Sequence, residues 1–94
     1  MTTERDGADR AKAERAILDL LALRAPGKTI CPSEAARRLG GDDGFRAFMP
    51  LVREAAASLA AAGRVEVTQH GRPVDMQAAH GPVRLRDAAR RGGR

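Results

Sequence analysis

The chain has 94 residues, a formal net charge of +5 and one cysteine. This length suits one compact domain and excludes a large cleft between two lobes. Hydrophobic residues make up 43% of the chain, but 19 of them are alanine, so the core is small and we expect modest stability. No apolar stretch reaches the length of a membrane span, and the charged N-terminus lacks the apolar run of a signal peptide. Since Cys31 cannot form an intrachain disulfide, we expect a cytoplasmic protein.

The excess of positive charge lies in the last third of the chain. Residues 1–63 carry ten Lys and Arg against nine Asp and Glu, whereas residues 64–94 carry seven arginines against three acids. Fifteen of the 17 basic residues are arginine, whose planar guanidinium can donate two hydrogen bonds to one phosphate. A genome rich in G and C would give the same preference for arginine, but it would not explain where the charge lies.

The first predicted element is a helix. Residues 1–8 are polar and charged and are predicted to form a disordered tail. Between residues 9 and 25, apolar residues recur at three- and four-residue spacing, which predicts a helix capped by Asp9. Pro-Gly at 26–27 stops it, and residues 28–30 are long enough only for a strand fragment.

A second, short helix is predicted to begin at Pro32. Proline fits the first helical position, where its missing N–H costs nothing. Glu34 is then placed to accept the backbone N–H of Cys31, as half of a capping box. The glycines at 40–41 end this helix after about two turns.

A third, longer helix is predicted to follow, capped by Asp42 or Asp43 and running to Ala62. Its apolar residues fall on one face, which is typical of a helix packed against a core. Pro50 lies inside this run, so the helix should kink there or divide into two segments.

After Gly63 the period of the apolar residues changes from helical to two. Val65 and Val67 alternate with polar residues, which predicts a half-buried strand. Residues 69–73 are rich in turn formers, and Val83 and Leu85 alternate with arginines in a second strand. The remaining residues, 87–94, are predicted to form a basic C-terminal tail.

The order of these elements predicts the fold class: α+β, mainly α, a winged helix-turn-helix with three helices and a small antiparallel β-wing in residues 9–86. The terminal strand–loop–strand is the wing, and the strand fragment near Thr29 adds an edge to its sheet. A plain three-helix bundle would not explain the final alternation.

One string, Arg-Ala-Pro-Gly-Lys-Thr-Ile-Cys-Pro-Ser-Glu at residues 24–34, is specific enough to suggest a family. Further agreeing residues are Phe48-Met49-Pro50, Val52-Arg53, Gly63-Arg64-Val65, Val67-Thr68-Gln69, Gly71, Val74-Asp75 and Gly81-Pro82. Over about residues 12–86 the chain resembles a bacterial family of uncharacterised proteins, domain of unknown function 3253. Phe45-Arg46 stands where the resemblance leads us to expect Trp-Arg, which keeps an aromatic ring and loses the indole N–H donor. The resemblance implies a winged-helix fold and no assigned activity.

The third helix would enter the major groove if the domain binds DNA. Arg46 and Arg53 lie two turns apart on its outer flank, where they would contact phosphates or a guanine edge. No Asn, Gln or Lys projects from this surface, and Glu54 would repel phosphate. The helix is therefore poorly equipped to read bases.

The wing is better equipped for contact with the DNA backbone. Together with the helix it gives six predicted nucleic-acid-binding residues: Arg46, Arg53, Arg64, Arg72, Arg84 and Arg86. His70 lies beside them. The alternative is a solvated strand face with some arginines paired to Glu66 or Asp75. Arg37 and Arg38 would add a phosphate clamp, or form a solvated helix face.

Other kinds of site find little support. One cysteine and two histidines are too few for a closed zinc site, so no metal or other cofactor is predicted. Cys31 at a helix N-terminus is either a redox-sensitive thiol or a small residue buried in a turn. Ser33 and Ser58 have no His and acid partners, and no glycine-rich loop follows a strand, so we predict that the domain is not an enzyme.

Two functions remain. The first is a winged-helix protein of the transcriptional-regulator kind that binds double-stranded DNA mainly through backbone contacts. The second is a winged-helix protein-interaction module that docks an acidic protein partner and binds no DNA. We expect no membrane association and a monomer or weak homodimer.

Overall fold

The first helix is longer at its start than the sequence predicts. The computed structural model of the protein describes residues 2–88, and the side chains of residues 8–88. Helix α1 spans Thr2–Ala22, so it begins inside the segment that we expected to be a tail. No proline stands before Asp9, and extending a helix costs far less than nucleating one. The predicted C-terminal tail lies outside the described residues from residue 89 onward.

The next elements are strand β1, Thr29–Ile30, and helix α2, Pro32–Ala61. Within the described residues the structure therefore has two helices and not the predicted three. Pro32 occupies the start of α2, and the backbone N–H of Cys31 donates to Glu34 Oε2 at 2.8 Å, which confirms that half of the predicted capping box. Pro50 does not divide α2, because packing of the following turn outweighs the local cost of proline.

The break in α2 lies at the glycine pair instead. Gly41 has φ 74° and ψ 178°, a non-helical backbone conformation that residues with a Cβ rarely adopt. At Gly40 a Cβ would stand 2.6 Å from Cδ2 of the Phe48 ring, so glycine allows the close approach of that ring. The glycines that we expected to separate two helices do interrupt the helical conformation. α2 therefore consists of two helical segments that meet at a kink at Gly41 and follow each other directly enough to count as one element.

The sheet is antiparallel and small. Besides β1 it contains β2, Val65–Gln69, β3, Arg72–Pro73, and β4, Arg84–Asp87, in the order β1-β4-β2-β3. The two strands predicted from alternation correspond to β2 and β4, and they pair directly. The unpredicted strand is β3, which forms a tight hairpin with β2 across His70-Gly71. Both turn residues have positive φ (55° and 78°), the type I′ pattern that suits the twist of a hairpin.

The core lies between the two helices and the inner face of the sheet. Its members are alanines and larger aliphatic residues, with no aromatic ring among them: Ala13, Ala16, Ile17, Leu21, Ile30, Ala35, Ala36, Val52, Ala55, Ala56, Leu59, Val65, Val67, Met76, Val83 and Leu85. Both phenylalanines are only half-buried at its margin. The structure is thus α+β, mainly helical, with a small antiparallel sheet, as predicted at that level. No helix within the described residues has the length and apolar character needed to cross a bilayer.

Candidate nucleic-acid interface

The β2–β3 hairpin carries two of the six predicted arginines near its two ends. Arg64 precedes β2, and Arg72 opens β3 directly after the turn, opposite Gln69. Both side chains are exposed, and neither makes a hydrogen bond or ion pair within the described part of the chain. A five-residue strand spans about 17 Å, so the two charges are separated by roughly the length of the hairpin.

Arg84 lies on the neighbouring strand β4 and is also exposed. Its Nε donates to Thr29 Oγ1 at 2.9 Å, and its Nη2 donates to the Thr29 carbonyl at 3.3 Å. These bonds fix the stem of Arg84 against the edge strand β1. They involve no carboxylate, so the positive charge stays unneutralised.

Arg86 is placed differently, two residues further along β4. It is half-buried, pairs across the strands with Glu66 of β2, and forms an ion pair with that carboxylate. Its Nε is buried without a hydrogen-bond partner in the described part of the molecule. The alternative weighed for the wing, an arginine paired with Glu66, therefore holds for Arg86.

Arg53 of α2 is half-buried and faces a loop rather than open solvent. Its Nη2 donates to the carbonyl oxygens of Met76 and Ala79, at 3.3 and 3.4 Å. Met76 is 2% exposed, so this loop is anchored to the core as well as to α2. The side chain that we expected to contact phosphate thus attaches the segment between β3 and β4 to the helix.

Arg46 is exposed, and its guanidinium carbon lies 5.1 Å from the centroid of the Phe45 ring. Arg37, on the other side of the Gly41 break, lies 4.1 Å from the same centroid. Both separations fall within the range of cation–π attraction. The structure thus gathers two arginines around one aromatic ring on α2.

Sequence reasoning missed two residues that shape the hairpin side of the domain. Gln69 Nε2 donates to the carbonyls of His80 and Pro82, at 2.5 and 3.0 Å, and so ties the loop back to the hairpin. Met76 is buried in the core although it lies in a polar segment. The signal for Met76 was present, because it is the one large apolar residue between Val74 and Val83. Gln69 was noted only as part of the Val67-Thr68-Gln69 string, which does not indicate that its side chain holds the loop.

A shallow groove of about 410 Å³ runs between α2 and this loop. It is lined by Met49, Pro50, Arg53, Glu54, Met76 and Gln77. Pro50 and Glu54 are the outward positions of the helix that would face a DNA groove. The groove is mainly apolar; of its polar lining residues, Glu54 is an acceptor, Arg53 already donates to the loop, and Gln77 alone is left to donate to a base edge.

The thiol and the possible metal ligands add no second site. Cys31 is half-buried, and its Sγ accepts a hydrogen bond from Ser33 Oγ at 3.1 Å. Across the described residues no three His, Cys, Asp or Glu side chains lie close enough together to hold a metal ion.

These features define a small basic α+β domain whose antiparallel hairpin and neighbouring strand present exposed arginines. The chain belongs to the DUF3253 family of proteins of unknown function, whose family model matches residues 10–88. The resemblance suggested by the string at residues 24–34 is thereby confirmed. No curated protein matches the chain.

Proposed function

We propose that this protein is a non-enzymatic, cytoplasmic winged-helix domain that binds duplex DNA mainly through phosphate contacts, with a role in transcription. One observation carries the proposal. Four of the six predicted arginines, Arg46, Arg64, Arg72 and Arg84, are exposed and have no carboxylate partner within the described residues. Exposed arginines without such partners keep their full charge for the phosphate backbone.

The arrangement of the elements supports the winged-helix interpretation. A helix, an edge strand, a bent helical element and a hairpin follow one another. β1 pairs with β4 and so adds the edge strand expected of such a sheet. In this interpretation the part of α2 after Gly41 takes the place of the recognition helix. β2 and β4, the two strands expected from the sequence, form the wing, with the short strand β3 added beside β2. Arg46 then lies on the helix, and Arg64 and Arg72 lie on the wing.

The spacing of the charges suits a phosphate backbone. Arg64 and Arg72 lie near opposite ends of the hairpin, about 17 Å apart along the strand. That distance corresponds to about five base pairs at 3.4 Å each, so the two side chains would contact separate phosphates. Arg84 adds a third charge on β4, the neighbour of β2.

Two of the six arginines receive structural roles in this proposal. Arg53 donates to loop carbonyls, and Arg86 is paired with Glu66. The contact set is therefore Arg46, Arg64, Arg72 and Arg84. Because the outward surface of α2 is an apolar groove, we expect little preference for sequence.

The test is the affinity for a fluorescently labelled 20-base-pair duplex at 50 mM salt, measured by anisotropy. Arg72→Ala should weaken binding several-fold, because it removes one phosphate contact. Arg15→Ala is the matched control, since Arg15 is equally exposed on α1 and also has no ion-pair partner in the described part of the chain. Equal losses in the two variants would show that only net charge matters and would contradict the proposed surface.

The alternative function, docking of an acidic protein partner, makes a different prediction for the same proteins. It predicts no binding to duplex DNA at low salt. It also predicts an acidic partner that survives nuclease treatment and is lost on Arg72→Ala. That pair of results would replace the DNA proposal.

A further inference from the structure

The bend of α2 brings two arginines onto one aromatic ring. Arg37 precedes Gly41 and Phe45 follows it, so the two residues lie eight positions apart. In an unbroken α-helix that separation is about 12 Å along the axis. The guanidinium carbon of Arg37 nevertheless lies 4.1 Å from the centroid of the Phe45 ring, and that of Arg46 lies 5.1 Å from it. The non-helical conformation of Gly41 therefore brings Arg37 to the ring, beside Arg46, which directly follows Phe45 in the sequence.

The ring positions the two guanidinium groups without neutralising their positive charge. Cation–π contact involves the face of the aromatic ring and leaves guanidinium N–H groups able to donate elsewhere. The exposed side chain of Arg46 donates no hydrogen bond to the described part of the chain. Arg37 donates from Nη1 to Ser33 Oγ at 3.3 Å, and its Nε lies 3.6 Å from Asp42 Oδ1.

Asp42 is the one carboxylate that neutralises this cluster within the described residues. Its side chain is 92% exposed, and the 3.6 Å separation from Arg37 is long for a charge-assisted hydrogen bond. An exposed ion pair of this kind contributes little stability. Asp42 is therefore free to move away from Arg37 when a stronger anion approaches.

We propose that Arg37 and Arg46, held on either side of the bend by Phe45, form a clamp for one phosphate region of duplex DNA, with Asp42 as a built-in competitor. This inference rests on the proposed DNA binding: it adds Arg37 to the contact set and gives Arg37 and Arg46 a shared phosphate. In the unbound protein the Asp42 carboxylate forms an ion pair with the Arg37 guanidinium. On binding, the phosphate replaces the carboxylate, so Asp42 lowers the affinity of the clamp.

The test compares Asp42→Asn with Asp43→Asn. Both residues are exposed, and both changes remove one negative charge at nearly the same place, but only Asp42 is paired with Arg37. Asp42→Asn should tighten binding of the labelled duplex at 50 mM salt by about two- to fivefold. This factor corresponds to the free energy of one exposed ion pair, which the variant no longer has to break on binding. Asp43→Asn should change the affinity less.

The role of Arg37 is checked in the same assay. Arg37→Ala should weaken binding, and in the Arg37→Ala background Asp42→Asn should have no larger effect than Asp43→Asn. Folding of every variant is verified by far-UV circular dichroism, and all three substitutions lie at exposed positions.

The outcomes separate the two proposals. If the wild-type protein binds DNA through Arg72 but Asp42→Asn and Asp43→Asn act equally, the clamp is overturned and the DNA proposal stands. If neither the wild-type protein nor Asp42→Asn binds duplex at low salt, both are overturned. A gain specific to Asp42→Asn that requires Arg37 supports the clamp.

Discussion

Replacement of Arg53 tests whether this arginine stabilises the fold or contacts DNA. Arg53→Ala removes two hydrogen bonds from a charged group to the carbonyls of Met76 and Ala79. Such bonds typically contribute about 1.5–3 kcal/mol each. Here both come from one nitrogen at 3.3 and 3.4 Å, beyond the usual range, so we expect a combined loss of about 1–2 kcal/mol in the free energy of unfolding. For a domain of this size that lowers Tm by about 5–15 °C.

The assay is thermal and urea unfolding followed by far-UV circular dichroism, with Arg72→Ala as the control. The Arg72 side chain is exposed and makes no hydrogen bond or ion pair with the described residues, so its loss should change stability by less than about 0.5 kcal/mol. DNA binding, measured where both variants are folded, should show the opposite order, with the larger loss for Arg72→Ala. An Arg53→Ala protein that is as stable as wild type, yet binds DNA as poorly as Arg72→Ala, would refute the loop-holding role and restore the phosphate contact expected from the sequence.

The remaining predictions concern the elements that place the candidate surfaces. Met76→Ala should lower the free energy of unfolding by about 2–5 kcal/mol, because the side chain is 2% exposed and leaves a cavity under the loop; urea unfolding measures it. Gly41→Ala should cost about 1–2 kcal/mol, because φ is 74° there, and should also weaken DNA binding through the displaced Arg37; an unchanged urea midpoint would contradict that backbone conformation. Leu23→Ser should leave the midpoint unchanged, because Leu23 is 76% exposed.

Periodicity was sufficient for the elements that bury one face. Alternation at Val65 and Val67, and again at Val83 and Leu85, identified β2 and β4, because burial of one face of a strand imposes a period of two. β3 has two residues and includes Pro73, so no alternation can reveal it. Its existence depends on the His70-Gly71 turn, whose geometry fixes the register of the hairpin.

The count of helices depends on a single residue. The glycine pair at 40–41 was correctly recognised as special, but the sequence cannot distinguish the end of one helix from a bend inside it. Gly41 alone has non-helical angles within α2, so the helix resumes at once. Pro50 was a misleading signal, because the packing of its neighbours, such as Val52, keeps that part helical.

The candidate site could be predicted as a region but not residue by residue. Concentration of arginine in the last third pointed to the hairpin and β4, where Arg64, Arg72 and Arg84 are exposed. The same pattern could not reveal that Arg53 reaches loop carbonyls or that Arg86 pairs with Glu66. Those roles depend on partners 20 or more residues away in the sequence, which only the fold brings together.

The salt dependence of DNA binding tests the central claim most directly. With Arg37 of the clamp included, the account assigns phosphate contacts to five arginines, so log affinity for a short duplex should fall linearly with log salt concentration, with a slope of about −4 to −5. Two duplexes of unrelated sequence should give nearly the same slope and affinity, and Arg72→Ala should reduce the slope by about one. Absence of binding at 20 mM salt, a slope near zero, or a strong preference for one of the two duplexes would contradict a protein that holds DNA by its backbone.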